Sequence, residues 1–387
     1  MNIELKNKDY LEVGPALARA ALAHAQDGQA GRSKSSAMRQ YDVVDFFAGC
    51  GGMSYGFQLV GKQTGLLRHV ASFDIDKYAN QTFSENFHLA VSDMDLGAAA
   101  IADIKKFLNE NGRNEKNGLI VIGCAPCQGF SAHRKKDPRK DSRNTLVGRF
   151  AEIATALEPE VIIMENVPEL LSERHGKHYR AFETIVEGHG YNIQSQVVNM
   201  AYFGTPQKRN RAIVVAAKNI HPSIPAPFLR EQKFRTVFDA IGHLENLSAG
   251  QTSPNDPMHQ TSRHRESTIE IIRKVPKNGG FRPAGVGPKC LDRVKGFSDV
   301  YGRLFWEKPA VTITARCRTP SCGRFVHPDQ DRGLSIREAA LLQGFPESFQ
   351  FFGPFDDKFK QIGNAVSPIF STFLAAHICT VLQDVDV

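Results

Sequence analysis

Four side chains in this sequence stand where reactive chemistry is feasible. Cys127 follows a proline in "GCAPCQGFS" (123–131), just after the apolar run Leu119–Ile122. A cysteine at a strand end is by default a small buried hydrophobe. Cys124 and Cys127 also have the CxxC spacing of redox and zinc sites. Zinc would want a second ligand pair, and Cys317 and Cys322 lie five apart without a nearby histidine pair, so no metal site is expected. A redox dithiol belongs near the first strand of a small fold, whereas this pair sits mid-chain. The stretch 132–143, "AHRKKDPRKDSR", holds six basic and two acidic residues, which would lower a thiol pKa and attract a polyanion. Glu165 ends a second apolar run, "VIIMENV" (161–167). A carboxyl leaving a buried strand at its C-terminal end lies where ligands bind in open parallel sheets. Desolvation there is expected to raise its pKa and keep it protonated as an acid. "TPQKRNR" (205–211) adds Arg209 and Arg211, two apart, which on an extended stretch are expected to face one side and grip a ring carbonyl or a phosphate. Thiol and neutral acid at one sheet edge suit covalent attack on an electron-poor ring.

A fifth stretch suggests a nucleoside. "DFFAGCGGMS" (45–54) follows the strand-like "YDVV", and its Gly49, Gly51 and Gly52 let the backbone turn tightly at a helix N-terminus. No Gly-Lys-Ser/Thr follows, which argues against a triphosphate loop. Asp74 comes 22 residues after Gly52, at a second strand end, where a carboxylate accepts hydrogen bonds from ribose hydroxyls. The loop does not choose between NAD and another adenosine cofactor. Asp103, in "IADI" (101–104), fits an acceptor for an adenine amino group, but taken alone a helix cap is the better reading.

The elements that must position these groups form two patterns. From Tyr41 the runs "YDVVDFFAG", "RHVASFD", "GLIVIGCAP", "EVIIMENV", "NIQSQVVNM" and "RAIVVAA" read as strands, with amphipathic helices between the earlier ones. Near-continuous apolar strands alternating with helices predict a mostly parallel sheet covered on both faces. After Lys218 the alternation gives way to Pro- and Gly-rich segments, where 212–300 counts 13 Lys/Arg against 8 Asp/Glu. Periodicity returns at "LSIREAALLQGF", a helix with Ser335 as N-cap, and in a C-terminal apolar helix. Residues 1–40 read as a flexible extension, 41–218 as a large catalytic domain, 219–335 as a small domain, and 336–387 as a hinge with a helix returning to the large domain.

The totals agree with a globular chain. With 387 residues, 41% hydrophobic and 23% charged, two domains are expected. Apolar runs far short of a span and no leader-like start exclude a membrane role, and seven scattered cysteines suit a reducing cytoplasm rather than a disulfide framework. A net charge of +7 favours an anionic partner.

Together the segments "DFFAGCGGMS", "FDID", "ADI", "APCQGFS", "ENV", "QKRNR", "REAALLQGFP" and "QIGNAVSP" resemble, in order, the C5-cytosine DNA methyltransferase family of bacterial restriction–modification type. The resemblance runs from Tyr41 to the C-terminus. It implies a Rossmann-like α/β domain, with a mixed, mostly parallel sheet, that binds S-adenosyl-L-methionine, plus a loop-rich target-recognition domain. Phe46, Ala48, Gly49, Gly51 and Gly52 would line the cofactor, Asp74 its ribose, and Ile75, Asp103 and Ile104 its adenine. Pro126, Leu146, Asn364 and Val366 match further positions of that pocket. Cys127 would be the nucleophile, Glu165 the acid at ring N3, and Arg209 and Arg211 the clamp, with Arg209 offsetting charge on the ring. Gln128, Ser131, Arg134, Lys135, Lys136 and Arg143 would contact double-stranded DNA from a loop closing over an extruded cytosine. A monomer is expected, with a cognate restriction endonuclease acting separately. Three rivals are a tRNA methyltransferase on the same scaffold, a catalytically dead DNA-binding protein, and a thioredoxin-like or zinc protein. The first lacks its Cys-Phe-Thr signature here, and the second sits poorly with intact Cys127, Glu165 and Arg209.

Overall fold

The computed structural model describes residues 8–16, 18–19, 39–126, 146–173, 176–293 and 299–383. Seven strands form one sheet: β1 Tyr41–Phe46, β2 Leu67–Phe73, β3 Val91–Ser92, β4 Gly118–Gly123, β5 Val161–Asn166, β6 Asn192–Asn199 and β7 Asn210–Ala217. Their order is β3-β2-β1-β4-β5-β7-β6. The first five pair in parallel, and β7 runs antiparallel to both β5 and β6. The sheet is therefore mixed and mostly parallel, as expected, and each apolar run read as a strand is one. β3 was not anticipated, because two residues carry no periodicity.

Every residue of β1, β4 and β5 is buried, the condition that makes a strand read as a continuous apolar run. Val44 and Phe46 of β1 share a core with Ile104 and Leu108 of the helix Ile101–Glu110, Val147 and Phe150 of Leu146–Ala156, and Phe182 of Gly176–Gly188. Strand alternation turns Val43 and Asp45 to the other face. There the helix Gly52–Thr64 lies so close to Pro368–Gln383 that a Cβ on Gly56 would fall 2.3 Å from the Ser371 carbonyl carbon. Ser371, fully buried, donates to the Met53 carbonyl.

At the start of β1, Asp42 is fully buried and saturated. Arg68 reaches it with two bonds of 2.9 Å, Arg113 Nη1 with one of 3.0 Å, Asn117 Nδ2 at 2.9 Å and the Asn114 N–H at 2.8 Å.

The chain divides into a sheet unit, Leu11–Asn199 with Asn210–Ala226 and Pro368–Val387, and a second unit, Met1–Tyr10 with Met200–Arg209 and Pro227–Ser367. This differs from the expected boundaries at 218 and 335. The helix Ile336–Gln343 falls in the second unit because its charges are satisfied there: Arg337 Nε reaches Asp256 at 2.6 Å, and Glu338 receives Arg332 at 2.7 and 2.8 Å. Ser335 caps it in a capping box with Glu338. The N-terminal stretch also departs from a purely flexible extension. Residues 8–16 are helical, and Leu11 is 2% exposed.

Burial pushes the Glu338 carboxyl up, but the Arg332 charge and hydrogen bonds outweigh it and hold the group down at about 2. A folded value below the ordinary 4.5 gives stability that is full above that value. It is lost as pH falls through about 2. Urea midpoints taken from pH 7 to pH 2 are expected to fall in that window, and Glu338→Gln should flatten the decline while lowering the midpoint at pH 7.

Candidate active site

The end of β1 turns through three left-handed positions, Phe47 (φ 57°), Gly49 (φ 55°) and Gly51 (φ 90°). A phenylalanine with positive φ is strained unless the surroundings hold it, and such strain gathers at ligand sites. Gly51 caps Gly52–Thr64, and a Cβ there would sit 2.4 Å from the Phe87 ring. A Cβ on Gly49 would meet nothing within 4 Å, so only its backbone angle demands glycine, and the space beside it is open. Asp74 fastens the loop: its Oδ2 accepts from Gly49 N at 2.8 Å and its Oδ1 from Asp76 N at 2.8 Å. Next to it Ile75 is 70% exposed, an apolar side chain left bare beside an open backbone loop.

Asp45, at the end of β1, is fully buried. One oxygen accepts from Ser54 Oγ at 2.5 Å, while Oδ1 has no hydrogen bond. Burial pushes its carboxyl up to about 8; the Ser54 bond opposes this and the charge of Asp74 adds to it.

Several expected cofactor residues are placed differently. Phe46 is wholly buried, stacked 4.8 Å from Phe73, so the half-buried Phe47 is the ring at the loop. The strand period predicts this once β1 is known to end at Phe46. Ile104 is core, and its N–H bonds to Ala100 O at 3.2 Å, which leaves it nothing for an adenine. Asp103 is exposed in the first helical turn. The N-cap is Ala100, with no side-chain cap bond, so the cap reading of Asp103 is corrected. Ala48 is buried within the loop and Gly52 at the first position of the helix, and Pro126 and Leu146 are half-buried in the sheet unit. Asn364, exposed, and Val366, buried, lie in the second unit.

A second group gathers at the C-terminal ends of β4 and β5. Gly123 pairs with Met164, so Glu165 leaves the sheet beside the root of the Cys127 segment. Asn166 Nδ2 donates to the Ala125 carbonyl at 2.8 Å, pinning that root two residues before Cys127. Glu165 is 6% exposed. Arg211 Nε lies 2.9 Å from its Oε1, with side chains 14% and 7% exposed. The antiparallel register sets Glu165 opposite Ile213, two residues from Arg211, so both side chains share a face. Cys127, Gln128, Ser131, Arg134, Lys135, Lys136 and Arg143 lie outside the described residues.

Arg209 does not join that pair. It is 1% exposed in the second unit, where Nη1 donates to Ile313 O at 3.0 Å and Nη2 to Gly363 O at 3.2 Å and Ala365 O at 2.9 Å. The expected clamp of two arginines on one side is corrected. β7 begins only at Asn210, so the period-2 argument does not reach back to 209. Arg209→Ala is expected to strip three buried carbonyls of their donor and lower unfolding free energy by about 3 kcal/mol in urea. Arg211→Ala, which strands the buried Glu165 carboxyl, should lower the urea midpoint as well.

Known proteins similar to this chain are DNA methylases. A family model described as C-5 cytosine-specific DNA methylase matches residues 41–380. The chain is 35% identical over 356 residues to the Type II methylase M.HgiDII of Herpetosiphon aurantiacus, covering 88% of this chain and 96% of that one. It is 32% identical over 338 residues to the Type II methyltransferase M1.HphI of Haemophilus parahaemolyticus, covering 87% and 86%. Among solved structures, a DNA modification methyltransferase encoded within an E. coli prophage shares the fold, with a TM-score of 0.69, 23% identity and coverage of 89% and 99%.

Proposed function

Because the chain belongs to the C-5 cytosine-specific DNA methylase family and is a DNA (cytosine-5)-methyltransferase, we propose that it methylates C5 of a cytosine turned out of a specific double-stranded sequence, through a covalent bond from Cys127 to C6. The supporting observation is the buried Glu165–Arg211 pair at the root of the Cys127 segment. S-adenosyl-L-methionine would supply the electrophilic methyl group. The sheet unit fits it: the open backbone at Gly49, the exposed Ile75 and the buried, incompletely bonded Asp45 suit a nucleoside joined to a cationic amino acid. Asp74 would hold the ribose, Ile75 and Phe47 the adenine, and Asp45 the positive end. Asp103, exposed nearby in sequence, remains available to the adenine amino group.

Cytosine C5 is a weak nucleophile until C6 is saturated. The Cys127 thiolate adds to C6, and the electron pair displaced toward N3 is met by a proton from Glu165 while Arg211 faces the ring carbonyl. Once C5 carries the methyl group that the cofactor would supply, a base removes the C5 proton, N3 returns its proton to Glu165, and expulsion of the thiolate restores the aromatic ring. A base stacked in a duplex cannot be attacked by the Cys127 thiol, so the cytosine must leave the duplex, at about a few kcal/mol of unstacking. The basic residues of 132–143 would grip phosphates, and binding should weaken steeply with salt.

The enzyme would act in the cytoplasm on chromosomal or phage DNA, within a restriction–modification setting. Incubation with duplex DNA carrying 5-fluorocytosine is the direct test. A denaturation-resistant protein–DNA adduct that requires the cofactor is expected, and its absence with a chain that methylates ordinary DNA would remove the covalent step. Parallel assays on tRNA should show no incorporation.

A further inference from the structure

Residues 273–293 concentrate charge on the second unit, with six Lys/Arg against one Asp. Lys274, Lys277 and Lys289 are exposed. In their midst Phe281 is 53% exposed, although a ring of that size is ordinarily buried. It is held out rather than left loose. Arg324, itself 4% exposed, places its guanidinium 4.1 Å from the centre of the Phe281 ring and 5.2 Å from that of Phe305. That guanidinium is fixed in turn. Its Nε donates to Asp299 Oδ1 at 3.0 Å, and its Nη1 to the carbonyls of Gly279 at 3.0 Å and Arg303 at 2.7 Å.

Two glycines make this arrangement possible. Gly279 has φ +91°, and a Cβ there would fall 1.9 Å from the Phe305 ring. A Cβ on Gly280 would fall 2.0 Å from the Pro276 carbonyl oxygen. The backbone therefore lies flat on the unit, and residue 281 is the side chain that emerges. A rigid aromatic ring backed by a buried cation, in a segment that carries exposed lysines, matches the chemistry of nucleic acid. Bases offer a flat face for stacking, and phosphates take the charge. Because the ring is already ordered, stacking costs little further entropy.

We infer that Phe281 is a DNA-contacting residue that stacks on a base of the target DNA. The inference rests on the reading of this chain as a DNA methyltransferase and adds to it a contact made by the second unit. An aromatic wedge of this kind fills space left by unstacking and holds the duplex distorted.

The test uses the full chain and a DNA fragment that the parent protein methylates. Phe281→Ala is expected to raise both KM and Kd for DNA about tenfold, with kcat within about twofold and cofactor binding unchanged. The slope of log affinity against log salt should not move, since no phosphate contact is lost. Lys277→Ala should lower that slope by about 0.9. Phe281→Trp should restore parental binding, and Phe281→Leu, with similar bulk but no ring, should not. A Kd for Phe281→Ala within twofold of the parent would overturn the inference, and so would a defect that tryptophan fails to rescue. If Phe281→Ala does not fold, the Leu and Trp pair decides the matter on the same criteria. A parent chain that neither binds nor methylates duplex DNA would instead remove the reading beneath it.

Discussion

Cys127→Ser is expected to abolish methyl incorporation, lowering kcat by at least about 10⁴-fold, which is a little over 5 kcal/mol of barrier. The exchange removes one sulfur for oxygen and changes little in shape. A serine hydroxyl is far harder to ionise than a thiol and a poorer nucleophile at neutral pH. Without addition at C6 the ring carbon never becomes a nucleophile, so binding can persist while chemistry stops. The informative measurement is single-turnover transfer of labelled methyl to duplex DNA alongside cofactor and DNA affinity. Both affinities should stay within a few-fold of the parent. Incorporation at the parental rate would refute the covalent route outright.

Glu165→Gln is expected to cost about 10²–10⁴ in kcat. The amide keeps the size of the side chain and its place at the end of β5, so the sheet and the Asn166–Ala125 anchor should survive. What is lost is the carboxyl that can carry a proton to N3 and that meets Arg211 at 2.9 Å. Arg211→Ala is expected to be nearly as damaging. The double variant should be little worse than either, because the two groups act as one unit on the ring. Strictly additive losses would mean that they serve separate steps. Glu165→Gln with parental kcat would leave the family role of this carboxyl without support.

The strands were readable because β1, β4 and β5 are buried along their full length, so most of their positions are apolar, with Asp42, Asp45 and Glu165 as exceptions. The capped helix at Ser335 was readable because its cap is local chemistry. Harder to read was anything fixed by a distant partner. Arg209 and Arg211 look alike in "TPQKRNR", but one meets the carbonyls of Ile313, Gly363 and Ala365 and the other meets Glu165. Gln207 shows the same thing, with Nε2 bonded to Leu342 O at 2.9 Å and Oε1 accepting from Ile313 N at 2.9 Å. Much of what makes "QKR" and "REAALLQGF" recognisable is thus mutual packing within the second unit. Phe46 and Phe47 are hard to separate in sequence because adjacent phenylalanines cannot be assigned to faces until the end of the strand is known.

Strand β1 carries two interior carboxylates three residues apart with opposite circumstances. Asp42 has every lone pair answered, while Asp45 keeps an oxygen with no hydrogen bond. Asp45→Asn would remove that discomfort from the empty protein and blunt its grip on a cationic ligand at the same time. A library of variants sorted for heat tolerance should therefore collect changes at position 45, and its survivors should include sturdy proteins that no longer mark DNA. Position 42 should tolerate no such exchange under the same sorting.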